Sequence, residues 1–382
     1  MNAIAFYAAS RDQLNYFTQL CEQVGLPSRV LWYKKLKFPS LTFDLPWSAL
    51  WQQARLLKVR KQNSRKGKHY PKWVWPLYQS LYFLNAIWLF LVATKWLKVL
   101  PETHVGIWNG KKFRQAIVVL AAEKQHKKTI FFETGPLPGF SAIDPKGVNF
   151  YSSIPHQSNF YRNRGIKHAP ILSATHAQAN VAKETPSGVP AKFILVPFQV
   201  VEDSNIYLHS KWIRNMRQLF ELCRQLTDIL PPEYVFVFKE HPACNESYED
   251  LRAQQTEQLQ FIDSLSTPDL VNYAQAIMTV NSTVGIEGLM KGLPVFVLGD
   301  ALFAIDEMSF PVNSQAALAK LITQVDCLKP NTDIINSFLE YLREDYAIPG
   351  NAMNNPDTVH WQAAEKRLQL LLNGKEAQAL GL

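Results

Sequence analysis

Short apolar runs alternate along this chain with longer segments whose apolar positions recur every three or four residues. The runs predict buried strands at residues 3–7, 29–32, 105–108, 129–133, 193–198, 234–239, 277–280 and 294–298. The periodic segments predict helices at residues 11–24, 110–125, 210–229, 269–275, 282–291, 315–325, 333–346 and 359–372. Strands that alternate with helices favour parallel sheets, so the chain is predicted to be α/β, with two Rossmann-like doubly wound domains.

Length and the breaks in this pattern predict the domain boundaries. The chain has 382 residues, and domains typically contain roughly 100–200 residues. We predict an N-terminal domain over residues 1–185 and a C-terminal domain over residues 186–350, joined by a polar linker near residues 168–190. Residues 351–382 are predicted to form a helix that packs back on the first domain. The Gly- and Pro-rich residues 134–155 are predicted to form a long loop of the kind that carries function.

Charge is concentrated in one basic, aromatic insertion at residues 45–101. The chain has 40 Lys and Arg against 32 Asp and Glu, a net charge of +8, and the insertion holds ten of these cations, six of the ten Trp and no acid. Cations beside indoles are typical of a surface that binds an anionic membrane. A solvated loop beside a core helix is the alternative, and no nucleic-acid partner is predicted because no nucleic-acid fold signature is present. The apolar stretch 81–94 has 14 residues, and a membrane span needs about 20.

Several chemistries are excluded by motifs that the sequence lacks. The motifs GxGxxG, GxxxxGK[ST], HExxH and GxSxG are absent, which argues against dinucleotide binding, P-loop hydrolysis, zincin proteolysis and α/β-hydrolase chemistry. No DxD pair is present to clamp a metal on a sugar diphosphate. The four Cys form no CxxC pair, so neither a zinc site nor a disulfide framework is predicted, and a reducing compartment is expected. No basic segment precedes the first apolar residues, so no secretory signal is predicted.

Four polar segments follow predicted strands, where open α/β sheets bind ligands. Their candidate residues are Glu133 in ETGPLPG, Gln199 and Asp203 in VPFQVVEDS, His241 and Pro242 in KEHP, and Asn281, Ser282 and Thr283 in NSTVGIEG. Because free N–H groups at a helix start bind phosphate, His241 and the Ser282 segment together predict one anion site. Structural roles are the alternatives: a lone histidine in the fold, an N-cap at Asp203 or Ser204, an N-cap at Asn281 or Ser282, and a turn capped by Asp144.

In this order, the segments ETGPLPG…DPKGVN, VPFQV…DS, KEHP and NSTVGIEGLMKGLPV resemble the capsule polysaccharide biosynthesis family. More narrowly, they resemble its retaining β-Kdo glycosyltransferases, which use CMP-Kdo. The resemblance covers residues 105–300 and implies a GT-B-like architecture, with an acceptor-side N-terminal domain and a CMP-sugar-binding C-terminal domain. It implies a metal-independent enzyme with no bound cofactor. Together with the basic insertion, it implies a cytoplasmic protein, peripheral on the inner face of the bacterial inner membrane.

The resemblance also implies roles for the candidate residues. His241, Ser282 and Thr283 would hold the CMP phosphate, in a site that includes Pro242, Asn281 and Gln199. Asp203 would be the carboxylate nucleophile and Glu133 the general acid/base, since a retaining transfer by double displacement needs two carboxyl groups about 5 Å apart. Which carboxylate attacks stays open. The acceptor would be a lipopolysaccharide or capsular glycan or glycolipid. Another CMP-linked sugar, such as sialic acid, or a non-catalytic glycan-assembly protein of the same fold, is the alternative.

Overall fold

A computed structural model of the chain divides into two compact units. Unit 1 consists of Met1–Ile154 with Tyr341–Leu382, and unit 2 is Pro155–Glu340. The residues that the structure describes are 3–35, 39, 44–63, 70–168, 172, 185–200, 204–244 and 246–382. The predicted linker therefore lies largely outside the described residues.

Unit 1 contains one six-stranded sheet with helices around it. Its strands are β1 (Ile4–Ala8), β2 (Ser28–Trp32), β3 (His104–Trp108), β4 (Lys128–Thr134), β5 (Phe140–Asp144) and β12 (Ile348–Pro349). Its helices are α1 (Arg11–Gln23), α2 (Trp47–Asn63), α3 (Val74–Val99), α4 (Phe113–Lys124), α13 (Thr358–Leu372) and α14 (Glu376–Leu380). The strand order is β2-β1-β3-β4-β5-β12. The first four strands are parallel, whereas β5 is antiparallel to β4 and β12 to β5.

Unit 2 contains a second six-stranded sheet, and all of its strands are parallel. Its strands are β6 (Lys192–Pro197), β7 (Tyr234–Lys239), β8 (Leu259–Phe261), β9 (Ala276–Thr279), β10 (Val295–Val297) and β11 (Phe310–Pro311). Its helices are α5 (Ser158–Arg164), α6 (Ser204–His209), α7 (Met216–Leu226), α8 (Glu249–Arg252), α9 (Thr267–Val271), α10 (Val284–Leu289), α11 (Gln315–Ile322) and α12 (Thr332–Glu340). The strand order β8-β7-β6-β9-β10-β11 is that of a Rossmann sheet, in which the order reverses between β6 and β9.

These two sheets confirm the predicted fold class, α/β with two Rossmann-like domains. The apolar runs predicted eight of the ten described parallel strands because a strand covered on both faces is apolar throughout, as in the fully buried β1. The strands β8 and β11 were not predicted, since with three and two residues they are too short to form such a run. The predicted loop at 134–155 is wrong in part, since it contains β5. The predicted helix at 210–229 is also wrong in part. The observed helix α7 begins only at Met216, where the Asn215 side chain caps it by accepting from Gln218 N at 2.9 Å, and ends at Leu226.

The predicted boundary at residue 185 differs from the observed one. Residues 155–168 belong to unit 2 because α5 packs against α12, with the rings of Tyr161 and Phe338 5.4 Å apart. At the other end, unit 1 takes up the chain again at Tyr341, so it includes residues 341–350 together with the C-terminal helix. The second domain is therefore residues 155–340 instead of 186–350.

The basic insertion forms an antiparallel pair of helices between β2 and β3. Trp51 of α2 packs against Phe83 of α3, and Lys58 donates to Gln79 at 2.6 Å. Phe90 and Leu97 of α3 are buried in one cluster with Ile117 of α4. Among the described helices, α3 alone is long and apolar enough to cross a membrane, at 26 residues. The helix thus extends beyond the apolar stretch 81–94 at both ends.

The C-terminal helix α13 is fixed in unit 1 by a buried histidine. Tyr16 OH lies 3.0 Å from His360 Nε2, and His360 Nδ1 lies 2.8 Å from the carbonyl oxygen of Pro349. Since a carbonyl only accepts, Nδ1 donates to Pro349 and Nε2 accepts from Tyr16. The imidazole is neutral in this arrangement, and burial lowers the pKa of His360.

We expect this histidine to make unit 1 less stable in mild acid. Its folded pKa lies below the unfolded value of about 6.5, so the unfolded chain binds more protons as the pH falls through that value. The free energy of unfolding should therefore decrease between pH 7 and pH 5. Urea unfolding of the wild type and His360→Gln across this range measures the slope, which the variant should reduce. The exposed His126→Gln is the control, and an equal slope in all three proteins would contradict the assignment.

Candidate functional site

Three parallel strands of unit 2 end level with one another. Pro197 at the end of β6 pairs with Lys239 at the end of β7. Leu195 of β6 pairs with Ile277 of β9, so β9 also ends, at Thr279, level with Pro197. Adjacent strands lie about 4.8 Å apart, which places the residues after β7 and β9 about 10 Å apart. The structure thus brings together the segments that contain Gln199, His241 and Asn281.

Gln199 and Asn281 join the two loops at the point where the strand order reverses. Gln199 Nε2 donates to Asn281 Oδ1 at 2.9 Å, and Asn281 N donates to Gln199 Oε1 at 3.3 Å. Gln199 is buried, and its own N–H points to Met216 Sδ at 3.1 Å. This pair therefore fixes the floor of the crevice in which Rossmann sheets bind their ligands.

His241 lies in an exposed turn directly after β7. Ala243 N donates to His241 Nδ1 at 3.1 Å, and Cys244 N donates to the His241 carbonyl at 2.8 Å. Pro242, which follows His241 directly, is also exposed. Because Nδ1 accepts, the neutral ring carries its proton on Nε2. This ring can therefore donate to a phosphate oxygen at the carboxyl edge of the sheet.

Ser282 and Thr283 lie between β9 and α10. Ser282 N donates to Thr279 Oγ1 at 3.0 Å, and Val284 N donates to Ser282 Oγ at 3.3 Å. Ser282 Oγ therefore stabilises the turn before the helix. The N-cap residue is the exposed Thr283, which makes no side-chain cap bond, instead of the predicted alternative Asn281 or Ser282. The helix covers Val284–Leu289 instead of 282–291 and has only six residues. We therefore expect the side chains of this segment to contribute more to anion binding than the helix dipole does.

Glu133 lies near the carboxyl end of β4 in unit 1 and is fixed by three donors. Asn109 Nδ2 donates to its Oε2 at 2.6 Å, while Thr134 N and Thr134 Oγ1 donate to its Oε1 at 3.0 and 3.3 Å. Asn109 adopts a left-handed backbone conformation just after β3, with φ of 64°. The result is a partly exposed carboxylate in a defined orientation, as a general acid or base requires.

Asn109 is a site residue that the sequence reasoning missed. The sequence placed Asn109 directly before the predicted helix at 110–125, whereas α4 begins at Phe113 and Asn109-Gly110 form a turn after β3. This turn also places the side-chain amide of Asn109 against Glu133, 24 residues further along the chain and near the end of β4. The only local signal was a polar residue after a strand in a position that favours Asn or Gly.

Asp144 has the structural role that the capping alternative predicted. Its buried carboxylate accepts from Lys146 N at 2.7 Å, from Gly147 N at 3.1 Å and from the backbone and hydroxyl of Ser153. These bonds organise the loop after β5. The carboxylate is occupied by the protein's own donors and is not assigned to the reaction.

Asp203, the predicted nucleophile, lies outside the described residues, and its role stays a prediction. Among the described residues, no group of three or more His, Cys, Asp or Glu is placed to hold a metal ion. The expectation of metal-independent chemistry is likewise a prediction.

The fold and this site define a class of protein. The chain has two α/β units, one with a mixed sheet and one with a fully parallel sheet that carries polar residues at its reversal point. Such a parallel sheet is typical of proteins that bind a nucleotide or a related phosphate ligand. The capsule polysaccharide biosynthesis protein family matches residues 173–351, which include Gln199, His241 and the Asn281–Thr283 segment. Over these residues the chain is similar to the capsule polysaccharide biosynthesis family, in agreement with the resemblance that the motifs predicted.

Individual proteins are also similar to this chain. The chain is 31% identical to Protein FixF of Sinorhizobium fredii over 66% of this chain and 62% of FixF. It is 24% identical to the capsule polysaccharide export protein KpsS of Escherichia coli, over 55% of this chain and 69% of KpsS. Among solved structures, it is similar to the β-Kdo 2,7 transferase of Thermosulfurimonas dismutans KpsC, with a TM-score of 0.48, 14% identity and coverage of 88% and 89% of the two chains. The chain thus spans less than two thirds of the length of FixF.

Proposed function

We propose that this protein is a glycosyltransferase that moves Kdo from CMP-Kdo to a bacterial surface glycan, part of a lipopolysaccharide or capsule. One observation carries the proposal. The level ends of β6, β7 and β9 bring the His241 turn and the Ser282–Thr283 segment to the reversal point of a Rossmann sheet, within the residues that match the capsule family. A donor that leaves as CMP carries a single phosphate, and this edge offers the Nε2–H of His241 and the hydroxyl of Thr283 to it.

The proposed reaction keeps the anomeric configuration through two displacements. Asp203 attacks the anomeric carbon of the donor, and CMP leaves as its phosphate accepts the hydrogen bond from His241. Glu133 then takes the proton of the acceptor hydroxyl, and the hydroxyl oxygen displaces Asp203 from the sugar. The Glu133 carboxylate is held by Asn109 and Thr134. That placement supports a role as the acid/base, and the assignment of Asp203 rests on its position in the family motif.

The proposed setting is the cytoplasm, with the protein peripheral on the inner face of the bacterial inner membrane. The acceptor is a glycan or glycolipid of the kind that the capsule relatives handle. Neither a metal nor a bound cofactor takes part in the proposed steps.

Binding of the nucleotide is the first expected result. In the absence of divalent metal, CMP at about 100 times its Kd should stabilise the protein by about 2.7 kcal/mol. For a unit of this size, the thermal midpoint of unit 2 should rise by roughly 5–10 °C. UDP and GDP should give smaller shifts, and His241→Ala should remove the CMP shift because the phosphate loses its donor. Differential scanning fluorimetry with each nucleotide measures this.

The exposed His126→Ala in unit 1 is the matched control and should keep the full CMP shift. Equal shifts with CMP and UDP would contradict a CMP-sugar donor. A CMP shift that survives in His241→Ala would place the phosphate elsewhere. If CMP shifts the thermal midpoint and sugar is transferred from CMP-sialic acid but not from CMP-Kdo, the donor sugar would be sialic acid. The proposed mechanism would then be unchanged.

A further inference from the structure

The exposed face of α3 is apolar over four turns. Trp73, the N-cap of the helix, and Leu77, Leu81, Leu84 and Trp88 within it are spaced four, four, three and four apart, so they lie on one face. We name these five side chains the α3 stripe. All are exposed, from 45% for Trp88 to 72% for Trp73. At 1.5 Å per residue the stripe is about 22 Å long.

The opposite face of α3 is buried in unit 1. Ala86, Phe90, Ala93 and Leu97 pack into the cluster that contains β3 and α4 side chains. The helix is therefore apolar on two faces, and within the described part of the chain only one of them is covered. Nine of the fifteen exposed large hydrophobic side chains in the described part of the chain lie between residues 47 and 99. Exposed apolar side chains in such a concentration mark an interaction surface.

The α2 helix extends this surface. Trp47 and Trp51 are exposed, and both rings contact Phe83 of α3, with ring centroids 6.2 and 5.0 Å apart. One and two turns further along the same face of α2 come Arg55 and Lys58. The two helices thus present one continuous surface, with aromatic side chains at one end of α2 and cations toward its other end.

Charge decides which partner fits. Lys72 precedes the α3 stripe, and Lys95 and Lys98 follow it, all three on exposed positions. No Asp or Glu occurs between residues 45 and 101. Long cationic side chains at both ends of an apolar stripe can reach lipid headgroups while the stripe enters the acyl boundary. A protein partner would need an apolar groove flanked by acids, whereas an anionic bilayer offers both features along its whole surface.

We propose that α2 and α3 form a docking surface for an anionic phospholipid membrane, with the α3 stripe inserted at the interface and α3 parallel to the bilayer plane. A spanning orientation would need lipid around the whole helix, and it would strip Phe90 and Leu97 from the core of unit 1. This proposal deepens the peripheral location proposed above and names the residues that produce it. Its test needs no sugar donor, so either proposal can fail without the other.

The test is sedimentation of the full chain with vesicles. Vesicles of phosphatidylglycerol and phosphatidylethanolamine should bind the protein at low salt, and phosphatidylcholine vesicles should bind it much less. Leu81→Glu combined with Leu84→Glu should weaken binding by roughly tenfold or more, since two apolar contacts are lost and two like charges face the headgroups. Lys95→Gln combined with Lys98→Gln should reduce both the binding and its salt dependence.

Val359→Glu is the matched control, because Val359 is 56% exposed, as Leu81 is, and lies on α13 away from the insertion in sequence. Thermal unfolding of each variant without vesicles checks its fold, and the Lys95 and Lys98 variant provides a second test that leaves the apolar side chains intact. Absence of binding at low salt, or an equal loss in Val359→Glu, would overturn the proposal. Resistance of the membrane-bound protein to high salt and alkaline carbonate would indicate a spanning α3 instead. A dimer that the Glu variants convert to monomer would assign the surface to a second copy.

Discussion

Replacing Glu133 by Gln should lower kcat/KM for sugar transfer by about 10²- to 10⁴-fold, the usual contribution of a general acid/base. The amide of Gln still accepts the hydrogen bond from Asn109 Nδ2, which is 2.6 Å from Glu133 in the wild type. What it loses is the ability to take a proton from the acceptor hydroxyl. The fold and the nucleotide site of unit 2 should therefore be unaffected. Initial rates with CMP-Kdo and a glycan acceptor, beside the CMP-induced thermal shift of the same variant, measure the two effects separately.

Asn109→Ala is the comparison variant for this effect. It leaves the carboxylate in place and removes one of its donors, so it should lower the rate by a smaller factor and leave the pH profile of the wild type recognisable. Full activity in Glu133→Gln would remove Glu133 from the mechanism. If Asp203→Ala retained transfer while Glu133→Ala trapped a glycosyl adduct, the two carboxylates would have each other's roles.

Replacing Glu340 by Gln should destabilise unit 2 by about 3 kcal/mol, the cost of removing one charge from a buried ion pair. Glu340, at the end of α12, joins the last and the first segments of unit 2. Its carboxylate accepts from Arg164 Nη1 at 2.6 Å and from the backbone and ring of His168. The side chains of Glu340 and Arg164 are only 3% and 7% exposed. Burial by itself would raise the pKa of Glu340, but the hydrogen bonds from Arg164, Lys167 and His168 lower it to about 2.

The sign of the pH dependence follows from this lowered pKa. The stabilisation is fully present above the unfolded carboxyl pKa of about 4.3 and is lost as the pH falls toward 2. Urea unfolding, with hydrogen exchange of the α5 and α12 amides as a local readout, measures the loss in unit 2. Glu307→Gln is the matched control, because Glu307 pairs with Arg162 on the same helix α5, but both side chains are exposed. Similar losses in the two variants would show that the ion pair at Glu340 contributes no more than a surface pair.

The helices of the basic insertion could be predicted only in part from the sequence. The absence of acids and the excess of Trp were visible in the sequence, and they predicted a surface with an anionic partner. The α2–α3 pair was not predicted, because α3 is apolar on two opposite faces and therefore lacks the single apolar stripe that identifies a helix packed on a core. Only the packing of Phe90 and Leu97 into unit 1 separates the covered face from the exposed one.

The sequence alone determined eight of the ten parallel strands that the structure describes, the α/β class and the segments that carry polar residues at strand ends. It could do so because apolar runs and turn residues act locally, over a few residues each. The tertiary structure decided the strand order, and with it the meeting of Gln199 and Asn281 across 82 residues of sequence. It also decided the orientation of Glu133 by Asn109 and the closure of unit 2 by Glu340, 176 residues from Arg164. Contacts of this kind depend on which elements become neighbours, and neighbours are fixed by packing of the whole sheet and not by the local pattern of any one segment.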